Sequence, residues 1–153
     1  MYRLILSVLM LVSTAGAWGQ NTPKLYGDWT VLCENDVCRA EQHLAAPSNP
    51  RIRYSSEVKF VRESGNPVMK LSFPLGVYLA RGIGFKAGDQ QRDVPFSVCL
   101  PVGCHAVVVL TEELLSAMRD QDSYSIRLYV TSAKPAEINY SLDGFAEALE
   151  QIR

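Results

Sequence analysis

Four cysteines set the first chemical choice in this sequence. Cys33 and Cys38 form one C-x4-C pair, and Cys99 and Cys104 form a second with the same spacing. Two neighbouring thiols either oxidise to a disulfide or, as thiolates, hold a soft metal ion. His43 and His105 lie near enough in sequence to complete a zinc set. Structural zinc pairs more often use a two-residue spacer, however, and an oxidising compartment removes the thiolates that zinc needs. A redox-active pair would use C-x-x-C, which is absent. Disulfides are therefore the expected state of Cys33, Cys38, Cys99 and Cys104.

Other chemistry has less to stand on. There is no G-x-S-x-G elbow, no H-E-x-x-H and no Walker-type loop, and only two histidines could serve as bases near neutral pH. Glu112 and Glu113 are adjacent at a helix start, so they cannot face each other as a carboxylate pair. The glycines of GVYLARGIG do not match a phosphate-cradling loop between strand and helix. Asn139-Tyr140-Ser141 is a formal glycosylation sequon. No catalytic, cofactor-binding or metal residue is assigned. Tyr26, Trp29, Tyr78 and Tyr129 offer amphipathic contact area, although a core position is the commoner fate for Trp29 and Tyr78. Tyr78 and Arg81, in a glycine-broken segment, are the candidate partner contacts, with Arg81 as an anchoring charge.

The elements that would position these groups are mostly strands. WTVLC-ENDV-CRAEQ and VPFSVC-LPVG-CHAVVVL read as two hairpins with four-residue loops, turned by Asn35 and Asp36 in one and by Pro101 and Gly103 in the other. Facing cysteines at the first ladder position suit a bridge, so the expected pairs are Cys33 with Cys38 and Cys99 with Cys104. Loop entropy alone would prefer long-range pairing by roughly 2 kcal/mol per bridge. A hairpin presents its own partner first, which should overrule that preference.

Further strands are expected over Leu25–Cys33, Cys38–Leu44, Tyr54–Val61, Val68–Phe73, Val94–Leu100, Cys104–Leu110, Tyr124–Thr131 and Ile138–Leu142. Met69, Leu71 and Phe73 should face the core. Residues 45–50 read as a loop, Ser64–Pro67 as a turn and 88–92 as a polar turn. Leu75–Phe85, broken by three glycines, suggests an irregular strand pair. Thr111 can cap a helix over Glu112–Arg119, and Asp143 one over Phe145–Ile152. Each helix is too short to persist alone and must pack on the sheet. About eight or nine strands without βαβ alternation predict an all-β fold, an antiparallel β-sandwich of immunoglobulin-like or jelly-roll-like kind or a partly closed barrel.

Composition bounds the function. With 153 residues, 48% of them hydrophobic and 20% charged, the chain suits one folded domain. The formal charge of -1 supplies no basic stripe for nucleic acid. MYRLILSVLMLVSTAGAWGQ has Arg3, an apolar run over Leu4–Val12 and a small-x-small site at Ala17-Trp18-Gly19, with Ala15-Gly16-Ala17 as a second one. The apolar run is about half the roughly twenty residues that a spanning helix needs. The expected organisation is a signal peptide over 1–19 and one β domain over 20–153, without a stable membrane span after cleavage. Losing Arg3 would leave a net charge near -2.

YGDWTVLCENDVCRAEQ, KLSFPLGVYLARGIGF, VPFSVCLPVGCHAVVVL and the closing SLDGFAEAL together resemble the invasion-associated locus B family. The likeness spans nearly the whole expected mature chain, and the G-D-W-x-V-x-C opening and P-F-x-x-C-x-P-x-G-C hairpin are specific in combination. The resemblance implies an exported protein of a Gram-negative cell, periplasmic or extracellular, linked in some members to host-cell entry. It implies no enzymatic activity and no cofactor. The expected action is binding to an envelope or host component, with a small hydrolase or ligand carrier as the competing reading.

Overall fold

A computed structural model describes residues 22–61, 65–130 and 135–153. The expected signal peptide over 1–19 lies outside the described residues, as do Ser64 and Thr131, where a turn and a strand end were expected. Eleven strands lie among the described residues: β1 (Lys24–Tyr26), β2 (Trp29–Glu34), β3 (Val37–Ala46), β4 (Asn49–Phe60), β5 (Pro67–Phe73), β6 (Ile83–Ala87), β7 (Gln90–Val94), β8 (Phe96–Leu100), β9 (Gly103–Val109), β10 (Ser123–Tyr129) and β11 (Pro135–Ser141). Two helices, α1 (Glu112–Arg119) and α2 (Phe145–Gln151), complete the set. Neither is long and apolar enough to cross a membrane.

The strands form two antiparallel sheets, one ordered β1-β2-β3-β4-β5-β9-β8 and the other β11-β10-β6-β7. They make a sandwich, and the sheets are open, so the barrel alternative does not apply. Period-two alternation produces this architecture. In β5, Met69, Leu71 and Phe73 are buried while Val68, Lys70 and Ser72 are partly exposed, as the odd-position reading expects. Ile126 and Leu128 of β10, Ile83 and Phe85 of β6, and Ala106 and Val108 of β9 join the same core. Burying one such large side chain contributes roughly 1.5–3 kcal/mol.

Several boundaries differ from expectation, which raises the strand count from about eight or nine to eleven. Both stapled hairpins have two-residue rather than four-residue turns, because Glu34 pairs with Val37 and Leu100 with Gly103 beyond the cysteines. Residues 45–50 are not one loop: a Pro47–Ser48 turn joins β3 to β4, with an irregularity at Ala45/Ala46. The polar stretch 88–92 contains only a Gly88–Asp89 turn, and Gln90 already pairs with Ala87. Leu75–Phe85 is no strand pair. Residues 74–82 form a crossover with one 3-10 turn, Leu79–Arg81, and regular pairing starts at Ile83. Gly82 has φ 61°, and a Cβ there would collide with the Val94 carbonyl.

The helices also correct the reading of their caps. Thr111 is the N-cap of α1, but its side chain caps no backbone N–H. Its hydroxyl serves Glu113 instead, and together with a backbone hydrogen bond and Arg92 this holds the Glu113 carboxyl below the ordinary range. Arg92 Nη2 also donates to Thr111 Oγ1 at 3.4 Å. Asp143 is not the cap of α2; Gly144 is, with φ 74° and its Cα packed against the Tyr26 carbonyl. Here the two chain ends meet. Asp28 N donates to Asp143 O at 3.1 Å, and the Trp29 and Phe145 rings lie 4.9 Å apart. Buried Gln42 donates to the carbonyls of Asp28 and Ser141, and accepts from Ser141 N at 3.0 Å.

Candidate functional site

The four cysteines form two disulfides. Cys33–Cys38 and Cys99–Cys104 each close a hairpin with a Cα separation of 4.0 Å. Such close opposition is that of a non-hydrogen-bonded antiparallel pair, where side chains approach most nearly. The first turn places both Asn35 and Asp36 at positive φ, 48° and 62°, the pattern of a type I′ hairpin. The second turn is Pro101–Val102, followed by Gly103 at φ 149°, where a Cβ would collide with the Phe73 carbonyl. With every cysteine bridged, thiolate ligands for zinc are not present. His43 Nε2 lies 3.2 Å from Glu41 Oε1, and His105 Nδ1 lies 2.9 Å from Ser72 Oγ, so the two imidazoles are engaged separately.

The crossover after β5 holds the two candidate contact residues. Tyr78 is 38% exposed, and its N–H donates to Tyr129 O at 2.7 Å. The Arg81 guanidinium lies over the Tyr129 ring, 5.0 Å from its centroid, a cation–π arrangement that keeps the charge at the surface. Trp29 belongs elsewhere. It is fully buried, and its Nε1–H donates to Ser141 O at 2.9 Å.

Sequence reasoning missed what surrounds Tyr78. Leu75 and Leu79 of the crossover, Val130 after β10, and Leu100 and Val102 of the second hairpin are all exposed, Val102 to 85%. Two backbone contacts tie these segments to their neighbours. Tyr78 is tied to Tyr129, next to Val130, and Gly103 sits against Phe73 and Pro74, next to Leu75. The crossover, the end of β10 and the second hairpin thus each carry exposed apolar side chains. The available signal was the stretch between Asp93 and Glu112, which has no Asp, Glu, Lys or Arg. That stretch reads as two core strands, yet four of the five residues of β8 are exposed.

The interior contains polar groups of a different kind. The hydroxyls of Ser56, Tyr124 and Tyr140 are buried between the sheets and make no hydrogen bond of good geometry. Tyr124 and Tyr140 stack with centroids 5.0 Å apart. Burial pushes both phenols well above their ordinary value. A neighbouring phenol adds to each rise, Tyr140 for Tyr124 and Tyr54 for Tyr140, and the nearby Ser56 hydroxyl offsets part of it at Tyr124. Neutral phenols in an apolar layer are poor general bases near neutral pH.

Comparison with known proteins agrees with this architecture. The model of the "Invasion associated locus B (IalB) protein" family matches residues 29–153. Invasion protein B homologs of Brucella abortus strain 2308 and of Brucella abortus biovar 1 strain 9-941 are each 31% identical over 136 residues, covering 84% of this chain and 77% of the relative. The crystal structure of invasion associated protein b from Bartonella henselae superposes with a TM-score of 0.75 at 19% identity, over 86% of this chain and 95% of that one, a likeness of fold. The family model spans β2 to β11, both disulfides and both helices, and the chain belongs to the invasion associated locus B family.

Proposed function

We propose that this chain is an exported envelope protein that acts by binding, without catalysis, through the exposed apolar side chains of its crossover and second hairpin. The observation that carries this reading is the exposure of Leu75, Tyr78, Leu79, Leu100, Val102 and Val130 on the crossover, the end of β10 and the second hairpin, with a disulfide holding the hairpin and the Tyr78–Tyr129 bond holding the crossover. Large exposed apolar patches commonly mark interaction sites. Arg81 supplies the directional charge beside the patch. Two disulfides suit an oxidising compartment, which supports removal of residues 1–19 and a periplasmic or extracellular location in a Gram-negative cell. The partner is an envelope or host component, not nucleic acid. A part in host-cell invasion follows the naming of the Brucella relatives as invasion protein B homologs, and it additionally requires display outside the outer membrane.

Two experiments test the reading. A photo-crosslinking residue at Leu79 in living cells should give a saturable adduct, while the same residue at Glu147 on α2 should not; equal labelling at both sites would refute the assigned surface. Protease treatment of intact cells separates the locations. A periplasmic protein survives it, and a displayed one is cut.

A further inference from the structure

We propose that the exposed apolar tip of hairpin β8–β9 docks on an anionic lipid surface. This rests on the binding reading above and names the chemistry of what is bound. Hairpin β8–β9 enters the argument first, because its only titratable side chain apart from the bridged cysteines is His105. Its tip, Pro101–Val102, projects with Val102 largely exposed. A shallow depression beside the tip is lined by Val102 and Pro74 together with His43, Arg51, Arg53 and Ser55, and no carboxylate lines it.

The two arginines there are electrostatically uncommitted. Arg39, Arg119 and Arg153 each have a carboxylate within ion-pair distance. Neither guanidinium makes an ion pair or a hydrogen bond among the described residues, while the Arg51 backbone N–H donates to Asn49 Oδ1 at 3.0 Å. Since the whole chain is slightly acidic, these cations do not belong to a general positive field. Lys24, Lys59, Lys86 and Arg127 also lack an ion pair among the described residues, and what distinguishes Arg51 and Arg53 is their place beside the exposed Val102.

The shape selects the partner. A projecting apolar tip beside cations does not enclose a peptide of defined sequence, but it fits a deformable interface. There Val102 and Leu100 enter the boundary between headgroup and acyl chain while Arg51 and Arg53 meet anionic headgroups. Leu75 follows Pro74, which lines the depression, and is itself exposed. The Cys99–Cys104 bridge and the seating of Gly103 on Phe73 hold the tip in advance, so docking orders little new backbone.

Flotation of the purified chain from Gln20 onward tests this, using phosphatidylcholine vesicles with about 30% phosphatidylglycerol against phosphatidylcholine alone. Partition should be at least about tenfold higher on the anionic vesicles and should fall as salt screens the charges. Arg51→Glu with Arg53→Glu should reduce binding to the level of neutral vesicles, and Val102→Asp should lower it several-fold. Both changes are at exposed positions, and an unchanged melting curve confirms that the fold persists. Equal partition onto the two vesicles, or none onto either, overturns the proposal. So does displacement by millimolar inorganic phosphate, which would mean a single-anion pocket rather than a surface. A saturable protein adduct at Leu79 without vesicle binding refutes the lipid assignment and leaves the binding reading standing; loss of both removes both.

Discussion

The two stapled hairpins share a cysteine spacing, a Cα separation and a two-residue turn, yet they face different surroundings. Hairpin β2–β3 is flanked by β1 on one side and β4 on the other, and around its bridge stand Glu34, Arg39 and Glu41, linked by ion pairs. Hairpin β8–β9 ends its sheet at a free edge and carries Val98, Leu100, Val102, Val107 and Val109 exposed. The same covalent device therefore serves two ends. In the first it closes an already buttressed, charged arm; in the second it holds an apolar arm that has a neighbour on one side only. Exposed apolar edges favour unwanted association, and a bridge that limits fraying there has the greater consequence.

The difference can be broken most strongly at the cysteines. Replacing Cys99 and Cys104 together with serine should cost about 3 kcal/mol. That is about 2 kcal/mol for a short closed loop, plus the burial of a serine hydroxyl at position 104. The matching change at Cys33 and Cys38, neither fully buried, should cost about 2 kcal/mol. Denaturant melts of the two variants measure the gap, and equal losses would remove the asymmetry.

The turn residues should then respond with opposite signs. Gly103→Ala forces a Cβ toward the Phe73 carbonyl at a positive φ and should destabilise by about 1–3 kcal/mol. Asp36→Gly, at φ 62° in the first turn, relieves a left-handed conformation and should stabilise by a few tenths of a kcal/mol. Melting temperatures moving in the same direction would contradict the assigned turn geometries.

Alkali acts on the interior that both hairpins share. Because the folded-state phenols of Tyr124 and Tyr140 are raised, the unfolded chain releases those protons first. Their stabilisation is intact below the ordinary phenol value of about 10 and declines above it, by up to about 1.4 kcal/mol per pH unit for each group. Tyr140→Phe, which removes a buried hydroxyl without a partner, should be neutral or slightly stabilising near neutral pH and should lessen the alkaline loss. Unfolding followed from pH 8 to 12 reads both effects. The smallest stability effects belong to the surface. Val102→Lys and Val37→Lys should each stay within about 0.5 kcal/mol of the parent, yet only the former should abolish the Leu79 adduct.

Legibility from sequence followed how local each constraint is. The inward face of β5, the limits of α1 and the pairing of each cysteine with its near neighbour depend on residues a few positions apart, and the structure has them as read. The crossover 74–82 was misread because its glycines answer to distant partners, Gly82 to the Val94 carbonyl. Asp143 resembles a cap, but the close approach of Tyr26 to residue 144 admits only glycine there and gives it that position. The exposed apolar side chains were hidden for a similar reason. Hydrophobicity alone cannot distinguish Leu100, at a free sheet edge, from Leu71 in mid-sheet, since only strand order separates them.

The knot at Trp29 has a consequence for the order of events in biosynthesis. The indole donates to a carbonyl 112 residues further along and lies tilted against Phe145, 4.9 Å between centroids. Under the proposed export, a chain threaded N-terminus first would keep this ring uncovered until residues 141–145 had followed it. Completion of the core around Trp29 therefore waits on the last strand and helix.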